Sequence, residues 1–72
     1  MHVFDSNGAE IHHGDVILDL RGERWVFSHV TRLPEPGRSG KVWVTHPETG
    51  FGQTFNHQVF NLVIVNTEGE HV

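Results

Sequence analysis

At 72 residues, with no Cys and a formal net charge of −4, the chain has room for one core and none for a disulfide framework or a cysteine-based zinc site. Domains below roughly 70–80 residues gain only about 3–5 kcal/mol from their core, so every large apolar side chain has to count. The longest apolar run, residues 62–65, falls far short of the ~20 residues of a membrane helix, and the lack of Cys and of an apolar leader sets the expectation of a cytoplasmic chain with no membrane span.

The charges are sorted along the sequence. Residues 1–20 hold Asp5, Glu10, Asp15 and Asp19 and no base. All five bases, Arg21, Arg24, Arg32, Arg38 and Lys41, then follow beside only Glu23 and Glu35, a local excess of +3. Glu48, Glu68 and Glu70 make the remainder acidic. Seven His would carry the total from −4 to +3 on full protonation, so the net charge is sensitive to pH near ~6.5.

In chain order, Asn7-Gly8 between Val3-Phe4 and Glu10-Ile11 predicts a tight N-terminal β-hairpin, because both turn residues tolerate positive φ. Gly14-Asp15 breaks the chain before residues 16–20, where Val16, Leu18 and Leu20 alternate with Asp19 and read as inward-facing. Arg21-Gly22-Glu23 turns into a long run, residues 24–33, whose Trp, Val, Phe and Thr favour strand. Its alternation is mixed, with Trp25 and Phe27 on one parity and Val26 and Val30 on the other, as in a strand that bends through a corner. Two Pro and two Gly within residues 34–40 dictate a loop. Residues 41–45 resume the strand pattern, residues 47–50 turn it, and residues 51–55 place Phe51, Gln53 and Phe55 on one side. Asn56-His57-Gln58 reads as a helical turn before a closing strand at residues 62–65. The fold expected is all-β, a small five-stranded SH3-like barrel with an N-terminal β-hairpin, forming a single domain over residues 1–72 with an ordered core at about 3–66. An OB-like barrel is second, since that fold needs a longer chain and a helix.

The succession of Asp5 to Gly8, Ile11 to Asp15, Asp19-Leu20-Arg21-Gly22-Glu23, Trp25 to Phe27, Pro36-Gly37-Arg38-Ser39-Gly40-Lys41-Val42-Trp43-Val44 and Val59-Phe60-Asn61-Leu62 resembles small uncharacterised proteins of actinobacterial tailed phages. The resemblance spans nearly the whole chain, with residues 37–42 its most distinctive part. It implies a setting in the cytoplasm of an infected bacterium and no catalytic residues to transfer.

Gly37-Arg38-Ser39-Gly40-Lys41 superficially resembles a phosphate loop. Such a loop needs four residues between its glycines, a Ser or Thr after the Lys and a helix beyond; here two residues intervene and Val42 opens a strand, so a soluble hairpin tip is the plainer reading. Histidines raise the question of metal, but His12 and His13 are adjacent and would point to opposite faces of a strand, and His29 and His46, which could approach across the central hairpin, lack a placed third ligand. Asp5-Ser6-Asn7-Gly8 opens like a calcium loop without its later ligands and reads as a turn. There is no Cys nucleophile and no Ser in an elbow. No catalytic residue, metal or cofactor is therefore assigned.

What remains is an aromatic and basic central hairpin. Trp25 is expected in the core, and Trp43, on the parity opposite to Val42 and Val44, is the candidate for the surface. The expected function is a non-enzymatic interaction module, a phage accessory protein engaging a host or phage protein or forming a homodimer, with Arg24, Arg32, Arg38, Lys41 and Trp43 as the binding residues. The alternative is a nucleic-acid-binding module using the same residues, in which bases stack on Trp43 and phosphates meet the Arg and Lys. Five bases against nine acids is a poor start for it.

Overall fold

The computed structural model describes residues 1–66, and turn chemistry accounts for much of their pairing. Strands β1 (His2–Phe4) and β2 (Glu10–Ile11) form the expected hairpin, Val3 opposite Ile11 and Phe4 opposite Glu10. Asp5 Oδ1 accepts hydrogen bonds from the Asn7 and Ala9 N–H groups, both at 2.9 Å, and Gly8 takes φ 85°, a left-handed geometry that costs Gly little. A meander follows, built from β3 (Val16–Leu18), β4 (Arg24–Arg32), β5 (Lys41–Thr45) and β6 (Gly52–Asn56). The expected helical turn is a short 3-10 helix (His57–Phe60), and β7 (Val63–Val65) returns to pair with β1.

The chain is thus all-β, but its pairing differs from the closed five-stranded barrel expected. Among the described residues seven strands form two antiparallel sheets, ordered β2-β1-β7 and β3-β4-β5-β6. The cause lies at residues 12–15. Asp15 N–H donates to the His12 carbonyl at 3.0 Å and its carboxylate accepts the His12 N–H at 2.8 Å, a closed turn that parts β2 from β3 and sends them into different sheets. Among the described residues β3 pairs only with β4.

Val3 of β1, Phe60 of the 3-10 helix and Leu62 just before β7 join Ile17, Trp25, Phe27, Val42 and Val44 of the four-stranded sheet in one core. Val42 and Val44 are fully buried. Phe55 meets Trp25 and Phe60 edge-on, with ring centroids 5.1 and 5.7 Å apart, the geometry that aromatic quadrupoles favour.

Two bulges explain the mixed alternation of β4. Register shifts fall between Phe27 and His29 and between Val30 and Arg32, and each unpaired residue reverses the parity that follows it. Trp25, Phe27 and Val30 therefore all face inward, opposite Ile17, Val44 and Val42.

The parity expected for β3 is reversed. Ile17 is buried, while Val16, Leu18 and Leu20 are 56–69% exposed. Asp19 faces the core side because its carboxylate organises the next turn: Oδ1 accepts the Arg21 and Glu23 N–H groups at 2.9 Å, and Oδ2 accepts Trp25 Nε1–H at 3.1 Å. Likewise Phe51 does not join Phe55 in the core; it is 74% exposed and belongs to the turn before β6, its N–H meeting Thr49 Oγ1 at 3.3 Å.

Partial desolvation pushes the Asp19 pKa up, but hydrogen bonds from Glu23, Trp25 and Arg21 outweigh it and hold the group below its ordinary value. A carboxylate whose folded pKa is depressed stabilises the fold fully above its unfolded pKa, near ~3.9, and loses that contribution as pH falls through the folded value. Urea midpoints measured between pH 6 and pH 2 should therefore fall on acidification, and Asp19→Asn should flatten that fall. An unchanged pH profile in the variant would remove Asp19 from this role.

Candidate functional site

The four-stranded sheet buries one face and shows the other to solvent. Because parity is fixed by the core, the outward residues follow directly: Val16 and Leu18 on β3, Arg24, Val26, His29 and Arg32 on β4, Lys41, Trp43 and Thr45 on β5, Gly52, Thr54 and Asn56 on β6. They lie in cross-strand rows. Arg32, Lys41 and Asn56 form one, His29, Trp43 and Thr54 the next, and Val16, Val26, Thr45 and Gly52 a third.

Of the five residues singled out from sequence, three come together on this face. Arg32 and Lys41 are direct cross-strand partners, and Trp43 occupies the adjoining row. Arg24 lies opposite Leu18 at the other end of β4, up to about 26 Å from Arg32 at the ordinary rise of a strand. Arg38 is in the loop, where it bridges Glu35 backbone to backbone at 2.9 Å and approaches its carboxylate at 3.9 Å. That exposed ion pair contributes little to stability, yet it offsets the charge of Arg38.

Arg32 is held in place. Its Nε and a terminal nitrogen donate to the Ser39 carbonyl at 3.1 and 2.7 Å, while Ser39 Oγ donates to Gln58 Oε1 at 2.8 Å. The Gly37–Lys41 segment is in this way tied to β4 and to the 3-10 helix, and His57 N–H adds a bond to the Gly40 carbonyl at 3.0 Å. Its glycines serve the backbone: Gly37 has φ 75°, and a Cβ on Gly40 would lie 2.9 Å from the Pro34 ring.

Trp43 is half-buried on the outer face, and its ring occupies the space above Gly52. A Cβ built on Gly52 would fall within 2.2–2.7 Å of indole atoms, so the ring fills the space that a side chain at 52 would need. Across Thr45 from Gly52, Val26 is half-buried on the same face, and Val16 and Leu18 are exposed on β3. Sequence reasoning missed Val16, Leu18, Val26 and Gly52 as members of this face. A Gly inside a strand pattern signals close approach of another group, and that sign was present at Gly52.

The histidines distribute differently from expectation. His29 faces outward beside Trp43, with Ser28 Oγ and its Nδ1 2.8 Å apart, whereas His46 packs edge-on against Trp25 at 5.5 Å. The two do not meet. His2 Nδ1 lies 2.6 Å from Glu10 Oε2 and His12 Nε2 3.6 Å from Oε1; the His2 hydrogen bond holds the Glu10 carboxyl below its usual range. Among the described residues no three His, Asp or Glu converge as a metal site requires. Trp25, with its indole hydrogen-bonded to Asp19, is buried in the core as expected. Glu68 and Glu70 of the acidic tail lie outside the described residues. A comparison of the chain with protein-family models, curated proteins and solved structures finds no match.

Proposed function

We propose that the chain is a non-enzymatic protein-interaction module, related to SH3-like domains, that presents the outer face of its four-stranded sheet to a protein partner. Supporting the SH3-like reading is the order of elements: a four-strand meander, a 3-10 turn, and a last strand that pairs with the first. One observation carries the functional reading. Trp43 lies over Gly52 and shares the outer face, across Thr45, with half-buried Val26 and the exposed side chains of Val16 and Leu18, a face with Arg32 and Lys41 at its rim. Large aromatics with charge at the rim are the composition of binding hot spots. Given the phage resemblance, a host or phage protein is the partner proposed, and the host cytoplasm the setting.

The nucleic-acid alternative is weaker. Only Arg32 and Lys41 stand together, and two neutralised phosphates give a logarithmic salt slope of merely about −1.8. Labelled DNA and RNA should not bind appreciably even at ~50 mM salt, where phosphate contacts are least screened; tight binding there with a steep salt dependence would replace the protein reading.

The direct test is affinity capture from bacterial lysate with the native chain and with Leu18→Glu, a change at an exposed position that leaves the core alone. A protein retained by the native chain and lost by the variant supports the outer face. Capture of nothing, together with a monomer in sedimentation, overturns it.

A further inference from the structure

The edge of β3 opens onto a groove. On one bank lie Val16, Ile17, Leu18 and Asp19; on the other lie the β1–β2 turn and residues 60–62; Ile11, Ile17, Phe60 and Leu62 supply an apolar floor, and the volume is about 340 Å³. Hydrogen bonds on either side of β3 fix which backbone groups face it. Phe27 N–H donates to the Asp15 carbonyl at 2.8 Å and Asp19 N–H to the Glu23 carbonyl at 3.0 Å. The Asp15 carbonyl and the Asp19 N–H thus face β4 and the turn that leads into it, and by the alternation of an antiparallel ladder the N–H and C=O groups of Val16 and Leu18 point away from it, along the free edge.

We propose that this edge takes up an extended peptide as an added antiparallel strand, and that the peptide carries an apolar residue in its middle with a Lys or Arg two positions to each side. The charge pattern selects that occupant. A guest residue opposite Ile17 shares its face and enters the apolar floor; the guest residues two away on each side then come opposite Asp15 and Asp19, which share that parity. Asp19 and, from the far bank, Asp5 line the groove, with Asp15 just beyond its end, and among the described residues no Lys or Arg lines it. The two remaining guest side chains lie beside Val16 and Leu18 on the outer side. Main-chain bonds give such strand addition its affinity, and alternate side chains give it specificity.

The same carboxylates disfavour a second copy of the chain. Two-fold antiparallel pairing of β3 with itself about Ile17 would set Asp15 against Asp19 of the other copy twice over, like charges directly opposed. Inward-pointing charges at the ends of a short edge strand are a known protection against self-pairing. This inference shares Val16 and Leu18 with the Trp43 face but uses their backbone edge rather than their outward side chains, so edge amide shifts and capture by the outer face are separate readouts.

The test is amide NMR of the full chain titrated with the blocked peptide Lys-Thr-Val-Thr-Lys and with its Glu-Thr-Val-Thr-Glu counterpart, each taken beyond ~1 mM because a short strand binds weakly. The amides of Val16 and Leu18 should shift with the basic peptide and not with the acidic one. A basic peptide N-methylated on the amides that face the protein should lose the effect. Asp5→Asn, which keeps the Oδ1 acceptor of the turn, should weaken the basic peptide about 2- to 5-fold at low salt, and Leu18→Pro, which removes an N–H that β4 does not use, should abolish edge shifts. Equal response to both peptides, no response at the edge, shifts confined to residues around Trp43, or edge shifts that depend on protein concentration alone would each overturn the proposal.

Discussion

Phe27→Ala is expected to leave the domain largely unfolded at 25 °C. Phe27 is 4% exposed and lies opposite Val44, which has no exposed surface. Removing a buried Phe side chain costs about 3–5 kcal/mol, part of it for the cavity left behind. A core of this size supplies about that much in total. Val44 cannot swing into the gap, since a β-branched side chain in a sheet has little freedom at χ1. The Phe27 backbone also bonds to both Gly14 and Asp15, at 2.8 Å each, so loosening it frees the turn that leads into β3. Collapse of amide dispersion in the NMR spectrum, or loss of the urea transition, is the expected result. Phe51→Ala, at a 74% exposed position, is the control and should move stability by no more than about 0.5 kcal/mol. If the two variants had equal urea midpoints, the packing described here would be wrong.

The contrast between those two phenylalanines shows what could be read in the sequence and what could not. Turns were legible because their residues carry their own geometry: Asn7-Gly8 closes the first hairpin, the Pro and Gly of residues 34–40 make a loop, and the run of residues 41–45 is a strand with the bounds expected. Which face a strand buries depends on parity, and parity is set by tertiary partners. In β3 the sequence Val-Ile-Leu-Asp-Leu offers three apolar residues on one parity and Ile17 on the other, so counting favours the wrong face. The choice is made by Asp19, whose carboxylate meets two backbone N–H groups and the Trp25 indole and thereby turns Ile17 inward and Leu18 out. Nothing local announces that.

The candidate face was partly legible for the same reason. Trp43 sits between Val42 and Val44 on a regular strand, so its outward direction follows from alternation alone. Arg32 lies beyond two bulges, and its pairing with Lys41 could not be counted from the loop inward. The composition of the basic stretch suggested one cluster of five residues. Folding divides it, because a nine-residue strand carries Arg24 and Arg32 to opposite ends of the sheet and Arg38 is partnered by Glu35. What folding gathers instead is the outer face with Trp43, Val26, Val16 and Leu18, whose members are too far apart in sequence to show as a motif.

Gly52→Ala should evict the Trp43 ring and cost about 1–3 kcal/mol, the usual penalty for forcing extra atoms into a filled space. The clash is unusually direct, because the added Cβ would fall 2.2 Å from the ring at its nearest point and the obstacle is a rigid indole rather than a flexible chain end. Gly52 does not occupy the positive-φ region, so the backbone itself accepts Ala. In a Trp43→Ala background the sign should therefore reverse: with the ring gone, replacing Gly by Ala in a strand restricts the unfolded chain and stabilises by roughly 0.4–1 kcal/mol. Urea midpoints of the two single variants and the double variant give the coupling between the sites. An altered tryptophan emission in Gly52→Ala alone would report the displaced ring, because Trp25 stays buried in all four proteins of the cycle that retain it. Equal effects of Gly52→Ala in both backgrounds would mean that Trp43 does not lie on Gly52, and the placement of the ring on which the binding face depends would be wrong.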